Sequence, residues 1–160
     1  MPYHAPMNIL NLYISSDHNY VGHHGQSSGK HPILERESLE CVAGRGIKGD
    51  RYYDHKANFK GQITFFSDEI RIKLQNQLGV EPMEASVFRR NVIVEGTDLN
   101  TLIGKEFEVQ GIRFLGTEEC RPCYWMDEAF SPGAHEALKG NGGLRARILS
   151  SGTLGCNSKS

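Results

Sequence analysis

The chain has 160 residues, with 18 Lys and Arg against 19 Asp and Glu, for a formal net charge of −1. That length fits a single domain, residues 1–160, able to bury a sizeable core without disulfide staples. The near-neutral balance gives no global attraction to nucleic acid or to an acidic membrane. With no signal-like N-terminus and no apolar stretch long enough to span a bilayer, a cytoplasmic protein is expected.

In chain order, MNILNLYIS (7–15) reads as a first strand, followed by the polar, Gly- and His-rich loop SDHNYVGHHGQSSGKHP. Further strands are expected at 33–42, 62–66, 91–95, 106–110, 113–117 and 144–149. The segment SDEIRIKLQNQLG opens with Ser67 as an N-cap, ends at Gly79, and places Ile70, Leu74 and Leu78 at helical spacing. In VQGIRF, a lone Gly111 between two alternating runs predicts a tight hairpin or a bulged bend. Many short strands, one clear helix and no βαβ alternation predict a mainly β domain, a closed or partly closed β-barrel with a few short helices. Its core is expected over about 7–155, with a short disordered C-terminal tail.

The chemistry concentrates in EECRPCYWMDEA (118–129), where Cys120 and Cys123 stand three residues apart. With Cys41 and Cys156 they make four cysteines in a chain without a secretory signal, so reduced thiols are expected. A structural zinc site needs four ligands, and the remaining Cys and His residues lack the paired spacing that would complete one. A thioredoxin-type couple needs C-x-x-C at a helix N-terminus in a βαβ unit, whereas this pair follows a strand. Plain burial as small apolar side chains stays open for one of the two thiols. A further reading uses the charges nearby. Arg121 lies between the thiols and Pro122 fixes the backbone there. A thiolate beside a guanidinium is stabilised as a soft-metal ligand or nucleophile. RGIKGDRYYDHK (45–56) and FRRN (88–91) bring more positive charge. Each alone reads as a solvated loop; together with Arg121 they suggest an anion-binding rim around a thiolate.

Four segments, in order and spacing, carry a resemblance: AGRGIKGDRYYDHKANFKGQITFFSDE, then FRRNVIVEGTDLNTLIGKEFEVQGIRFLGTEECRPCYWMDE, then NGGLRARIL, then SSGTLG. The chain resembles the MOSC domain family, named for the C-terminal domain of molybdenum cofactor sulfurases, over about residues 7–155. The most specific block runs from an Arg-x-Asn strand through a Gly-x-x-Leu-x-x-Leu-x-Gly turn and a hairpin into Cys-x-Pro-Cys.

The resemblance implies a β-barrel that binds the molybdenum cofactor (molybdopterin), a pterin with a dithiolene and a phosphate. It implies Cys123 as the protein's ligand to molybdenum and the catalytic residue; a soft thiolate suits such a metal. Cys120 falls where relatives vary, and packing and sulfur transfer are both open for it. Arg89 and Asn91 match the Arg-x-Asn motif, and Arg51 matches Gly-Asp-Arg; these are implied cofactor contacts. Lys48 and Arg121 join them on charge and position, since guanidinium forks suit a phosphate. Asp50 is expected to fix its own loop or an arginine. Ser28 and Lys30, with Ser27, fall where relatives bring an early loop to the cofactor rim. No structural metal is expected at His23 and His24 in that loop, because ordering so Gly- and Ser-rich a segment is entropically costly. Relatives often end Gly-x-Ile-x-x-Gly-Asp, whereas SGTLGCNSKS lacks the final acid, so a short or frayed last strand is expected.

Two functions follow from the resemblance. In the first, the protein is a molybdenum-dependent reductase of small N-hydroxylated compounds. In the second, it carries sulfur as a persulfide on Cys123 or delivers the cofactor without turnover of its own; a purely structural interaction domain is a third. No pyridoxal phosphate site is expected, and electrons or sulfur would come from a separate protein.

Overall fold

The computed structural model of the chain describes residues 3–15, 33–81, 84–121 and 132–157. Eleven strands dominate these described residues: β1 (Tyr3–His4), β2 (Asn8–Ile14), β3 (Leu34–Arg36), β4 (Ser38–Val42), β5 (Gly46–Ile47), β6 (Ile63–Ser67), β7 (Val92–Glu95), β8 (Glu106–Val109), β9 (Ile112–Glu119), β10 (Leu144–Ile148) and β11 (Gly152–Gly155). Among the described residues two α-helices accompany them, α1 (Asp68–Leu78) and the single turn α2 (Ala134–Ala137). The class is mainly β, as the sequence predicts.

Eight strands form one mixed sheet in the order β1-β8-β9-β10-β6-β7-β2-β3, and β11-β4-β5 form a second. The expected closed ring is not formed by the described strands, because β1 and β3 end the large sheet without pairing to each other. Instead the chain bends at Glu37: the single strand expected over 33–42 divides, β3 pairing with β2 in the large sheet and β4 with β5 and β11 in the small one. The core then lies between the two sheets. It joins Leu39, Cys41, Ile47 and Leu154 of the small sheet to Ile9, Leu12, Phe65, Val92, Phe107, Phe114 and Leu144 of the large one.

The strand period of two sorts the other face. Along β2, Leu12 and Ile14 enter the inter-sheet core while Tyr13 points away; along β6 and β7, Phe65 and Val92 separate in the same way from Phe66 and Ile93. Tyr13, Phe66 and Ile93 pack under Leu74 of α1, Phe88, and Ala134 and Leu138 at α2. Phe66 and Phe88 stack at 4.2 Å between centroids.

α1 sits where its signals put it. Gly79 terminates it in a left-handed conformation, φ 64°, as a C-terminal glycine should. The Ser67 hydroxyl bonds the Glu69 carboxylate at 3.1 Å rather than a backbone N–H. The expected lack of βαβ alternation does not hold throughout the chain. Strands β6 and β7 are parallel neighbours, and α1 lies in the connection between them, so the fold does contain one βαβ unit. Parallel neighbours require such a crossover.

The hairpin at VQGIRF is as tight as Gly111 suggests. Val109 pairs Ile112, leaving only Gln110 (φ 52°) and Gly111 (φ 80°) in the loop, the positive-φ pair of a type I′ turn. Gln110 is an unusual residue for that place, and its amide accepts from Gly155 N and donates to Gly155 O, both at 2.8 Å. The hairpin thereby holds the end of β11. Beyond it, Asn157 Oδ1 accepts from Ile9 N at 2.6 Å. The short last strand is therefore anchored at its end by side-chain amides.

Candidate functional site

A cavity of about 440 Å³ opens at one end of the large sheet. Its walls come from the end of β2 (Tyr13, Ile14, Ser15), the loop after β5 (Asp50, Arg51, Tyr52), the residues before β7 (Arg89, Arg90, Asn91), the end of β9 (Glu118, Glu119, Cys120, Arg121) and Arg145 of β10. Segments more than a hundred residues apart thus converge because β2, β7, β6, β10 and β9 are consecutive in the sheet.

Asn91 is the keystone of the floor. It is buried, and its Oδ1 accepts from Thr64 N at 2.9 Å and Thr64 Oγ1 at 3.1 Å. Its Nδ2 donates to Tyr13 O at 3.1 Å and to Asp50 Oδ1 at 3.4 Å. Both lone pairs and both protons of the amide are used. Asn91 therefore lines the cavity while its side chain ties β6, β2 and the Asp50 loop together.

Asp50, also buried, accepts from Ser15 N at 3.1 Å and Tyr52 N at 3.3 Å. Burial raises its pKa above the ordinary carboxylate value; the two backbone N–H groups, the Arg51 charge and the Asn91 amide oppose that shift. Asp50 fixes its own loop. Arg51 N donates to Ser15 O at 2.6 Å, and the Arg51 guanidinium lies over the Tyr52 ring, 4.9 Å from its centroid.

Arg89 lines the cavity from a left-handed backbone, φ 60°, at the end of the 3-10 turn Ala85–Phe88. Such a conformation is uncommon for a residue with a Cβ, and strain of this kind gathers at functional sites. Its neighbour Arg90 holds the site together. The Arg90 guanidinium donates to Phe88 O at 2.8 Å, Gly142 O at 3.0 Å and Cys120 O at 3.3 Å. Cys120 N in turn donates to Gly143 O at 2.8 Å. Three segments of the rim are thus joined by one planar fork. Gly143 makes this approach possible: its φ is +110°, and a Cβ there would collide with the Phe65 carbonyl.

A bulge shapes the cysteine side. On β9 opposite β10, Arg145 faces Glu118 but Ala146 faces Gly116, leaving Thr117 as the extra residue. Thr117 Oγ1 bonds Lys60 O at 2.7 Å and Arg145 O at 3.0 Å. The bulge lies immediately before Glu118, Glu119 and Cys120, all of which line the cavity.

The thiols differ sharply. Cys41 is buried in the inter-sheet core, where burial pushes its thiol up to about 12, so it stays protonated and inert. Cys120 is half-buried and opens on the cavity, and Cys156 is exposed. Among the described residues no three His, Cys, Asp or Glu side chains are grouped to hold a metal ion. Cys123, Ser28 and Lys30, together with His23 and His24, lie outside the described residues.

The family model of the MOSC domain matches residues 52–157. The chain belongs to the MOSC domain family. The family is linked to molybdenum-cofactor binding. Among solved structures, the YuaD protein of Bacillus subtilis matches at 19% identity and a TM-score of 0.72, over 94% of this chain and 92% of that one. YiiM of Geobacillus stearothermophilus matches at 15% identity and a TM-score of 0.65, over 94% of this chain and 71% of that one. YiiM of Escherichia coli matches at 13% identity and a TM-score of 0.63, over 99% and 72%. At these identities the likeness shows a shared fold. No curated protein sequence matches the chain at a significant level.

In this MOSC domain the cavity brings together Arg51, Arg89, Asn91 and Arg121 of the residues that the sequence singles out. Lys48 is not among them. Its Nζ pairs with Glu40 Oε2 at 3.1 Å, and it lines a different, shallow groove beside β3 and β4. Lys48 is only two positions from Asp50, but Lys48 is exposed where Asp50 turns inward. Sequence reasoning missed Arg90, Glu118, Glu119 and Arg145. Arg90 was visible as the second arginine of FRRN, but nothing in the sequence indicates that its guanidinium would meet three carbonyls. No helix among the described residues is long and apolar enough to cross a membrane.

Proposed function

We propose that this cavity binds the molybdenum cofactor and that the protein is an oxidoreductase reducing small N-hydroxylated compounds there. The observation that carries the reading is the charge lining the cavity. Arg51, Arg89, Arg90, Arg121 and Arg145 meet there, against Asp50, Glu118 and Glu119. The acids are already engaged: Asp50 by backbone N–H groups, Glu118 by Arg145, and Glu119 by Gly142 N at 3.1 Å. Neither Arg51 nor Arg121 forms a hydrogen-bonded ion pair with a carboxylate among the described residues, although the Arg51 charge is felt by Asp50. This donor set fits an anionic, phosphate-bearing cofactor, for which guanidinium forks are well suited.

In this reading Arg51, Arg89 and Arg121 hold the phosphate and pterin oxygens, while Asn91 and Arg90 keep the floor and rim in place. Cys123, three positions beyond Cys120 in the sequence, is the metal ligand in this reading. Ser28 and Lys30 would cover the open side. The bound group supplies two-electron chemistry that turns an N–OH bond into N–H with release of water. A separate protein donates the electrons, and the setting is cytoplasmic, where thiols stay reduced.

The sulfur-carrier reading is kept alive by one observation, the half-buried Cys120 thiol opening on the same cavity three residues before Cys123. One experiment separates the two. The protein is purified from a host that makes the cofactor, molybdenum, pterin and cyanide-labile sulfur are measured, and N-hydroxylated compounds are assayed with an artificial reductant. Bound molybdenum with turnover supports the reductase. Bound molybdenum without turnover points to delivery, and labile sulfur without metal to a persulfide carrier.

A further inference from the structure

One wall of the cavity is built beyond what the contacts proposed for Arg51, Arg89 and Arg121 require. Tyr52 and Phe59 pack ring to ring at 5.1 Å, and His55 closes on both at 5.4 and 4.7 Å. A guanidinium lies over each of two of these rings, Arg51 at 4.9 Å from the Tyr52 centroid and Arg145 at 5.3 Å from that of Phe59. Both arginines line the cavity. Stacking on a ring fixes a guanidinium plane while leaving its N–H edge free to meet an oxyanion.

Arg145 is fixed further. Its Nη1 donates to Glu118 Oε1 at 3.1 Å, directly across the β9–β10 pair. Gly61 runs beneath it so closely that a Cβ would stand 2.7 Å from Nε, so residue 61 must be glycine for the guanidinium to lie there. Thr117 holds that loop by its bond to Lys60 O. Yet the ion pair is weakly sheltered, with Arg145 30% and Glu118 38% exposed. A pair that open to water contributes little to stability, so an incoming oxyanion can take Glu118's place at small cost.

We propose that Arg145 and Arg51, set on the Tyr52–Phe59 wedge, form a preformed oxyanion subsite in which Glu118 is the resident placeholder. The ligand group is a phosphate or carboxylate, which could belong to the cofactor or to an acidic substrate. The subsite builds on the ligand-binding reading of the cavity but not on the reductase activity.

The test uses cofactor-free protein and inorganic phosphate as the probe, with affinity read by calorimetric titration. Arg145→Gln should weaken phosphate binding about ten-fold, the loss expected for one charge-assisted bond. Glu118→Gln should strengthen it several-fold by removing the competing carboxylate, a gain that a merely structural role would not produce. Gly61→Ala should weaken it with no change of charge; if that variant fails to fold, the other two suffice. Unchanged affinity in Arg145→Gln, no gain in Glu118→Gln, or no phosphate binding by the parent protein would overturn the proposal. The source of the oxyanion is read separately, in protein from a cofactor-making host. Loss of pterin from Arg145→Gln assigns the subsite to the cofactor's phosphate. Retained pterin, with a raised KM for a carboxylate-bearing amidoxime but not a neutral one, assigns it to the substrate. Protein that never acquires molybdenum would defeat the reductase reading and leave the phosphate result standing.

Discussion

Replacing Asn91 by Ala should damage the fold more than any contact with a ligand could explain. The substitution removes the acceptor of Thr64 N and Thr64 Oγ1, and the donor to Tyr13 O and Asp50 Oδ1, all inside the protein. The Thr64 hydroxyl can turn and Asp50 keeps its two backbone donors, which leaves the Thr64 N–H and the Tyr13 carbonyl as the stranded groups. At about 1–3 kcal/mol for each stranded group, plus the weaker loss at Asp50, the variant should be destabilised by about 3–5 kcal/mol. For a chain of this length that lowers Tm by roughly 10–15 °C. Urea unfolding followed by circular dichroism measures it, with an unchanged m-value indicating that native compactness is kept. Asn91→Asp should also be unstable at neutral pH, because a carboxylate oxygen would then face Asp50. It should recover in part on acidification, as a shared proton replaces the lost N–H. A loss below about 1 kcal/mol in the Ala variant, combined with loss of bound cofactor, would refute this account and make Asn91 a ligand contact rather than a keystone.

Three further outcomes are expected. Arg89→Ala should reduce cofactor retention about ten-fold or more, with Arg89→Lys restoring only part, since an ammonium lacks the bidentate fork; cofactor content unchanged in both variants would remove Arg89 from the site. Cys123→Ser should abolish protein ligation of molybdenum and reductase activity with the fold intact, and Cys120→Ser should be milder; equal losses, read by metal content and turnover, would favour a dithiol. Burial raises the pKa of Asp50 above its ordinary 3.8, so the native state holds this proton more tightly than the unfolded chain does. Its contribution is therefore most favourable below that value and is lost as pH rises through the elevated native pKa. Asp50→Asn should flatten this part of the stability–pH curve, and an unaltered curve between the variants would contradict it.

The parts of this protein that were legible in its sequence are those decided locally. Ser67 and Gly79 delimit α1, Gly111 marks a two-residue hairpin, and the strands expected at VIVE and ITFF are near-continuous apolar runs, buried on both faces. The Gly-x-x-Leu-x-x-Leu-x-Gly turn folds as a 3-10 turn with Leu99 and Leu102 both buried. What was hidden depends on distant segments. The division of 33–42 between two sheets follows from where β11 returns, more than a hundred residues later. The βαβ unit is invisible until β6 and β7 are known to be neighbours, and β5 is too short to show any period.

The site divides in the same way. Motif residues Arg51, Arg89 and Asn91 reach the cavity because their motifs sit at strand ends or in adjoining loops. Charge alone was a poor guide for Lys48, whose ammonium satisfies Glu40 on another surface. Arg145 and Arg90 stand in the quoted segments NGGLRARIL and FRRN, but their roles carried no local signal, because these arise from a bulge, a glycine contact and carbonyls on separate segments.

The central claim is that the arginine-lined cavity is a molybdenum-cofactor site with Cys123 as its metal ligand. Its most direct test is the ratio of molybdenum and released pterin to protein, measured together on chain purified from a cofactor-making host and on its Cys123→Ser variant. The account predicts metal and pterin in equal, near-stoichiometric amounts in the parent protein, with molybdenum lost in the variant. A parent protein free of both, under conditions where another molybdoenzyme from the same cells is fully loaded, would contradict it.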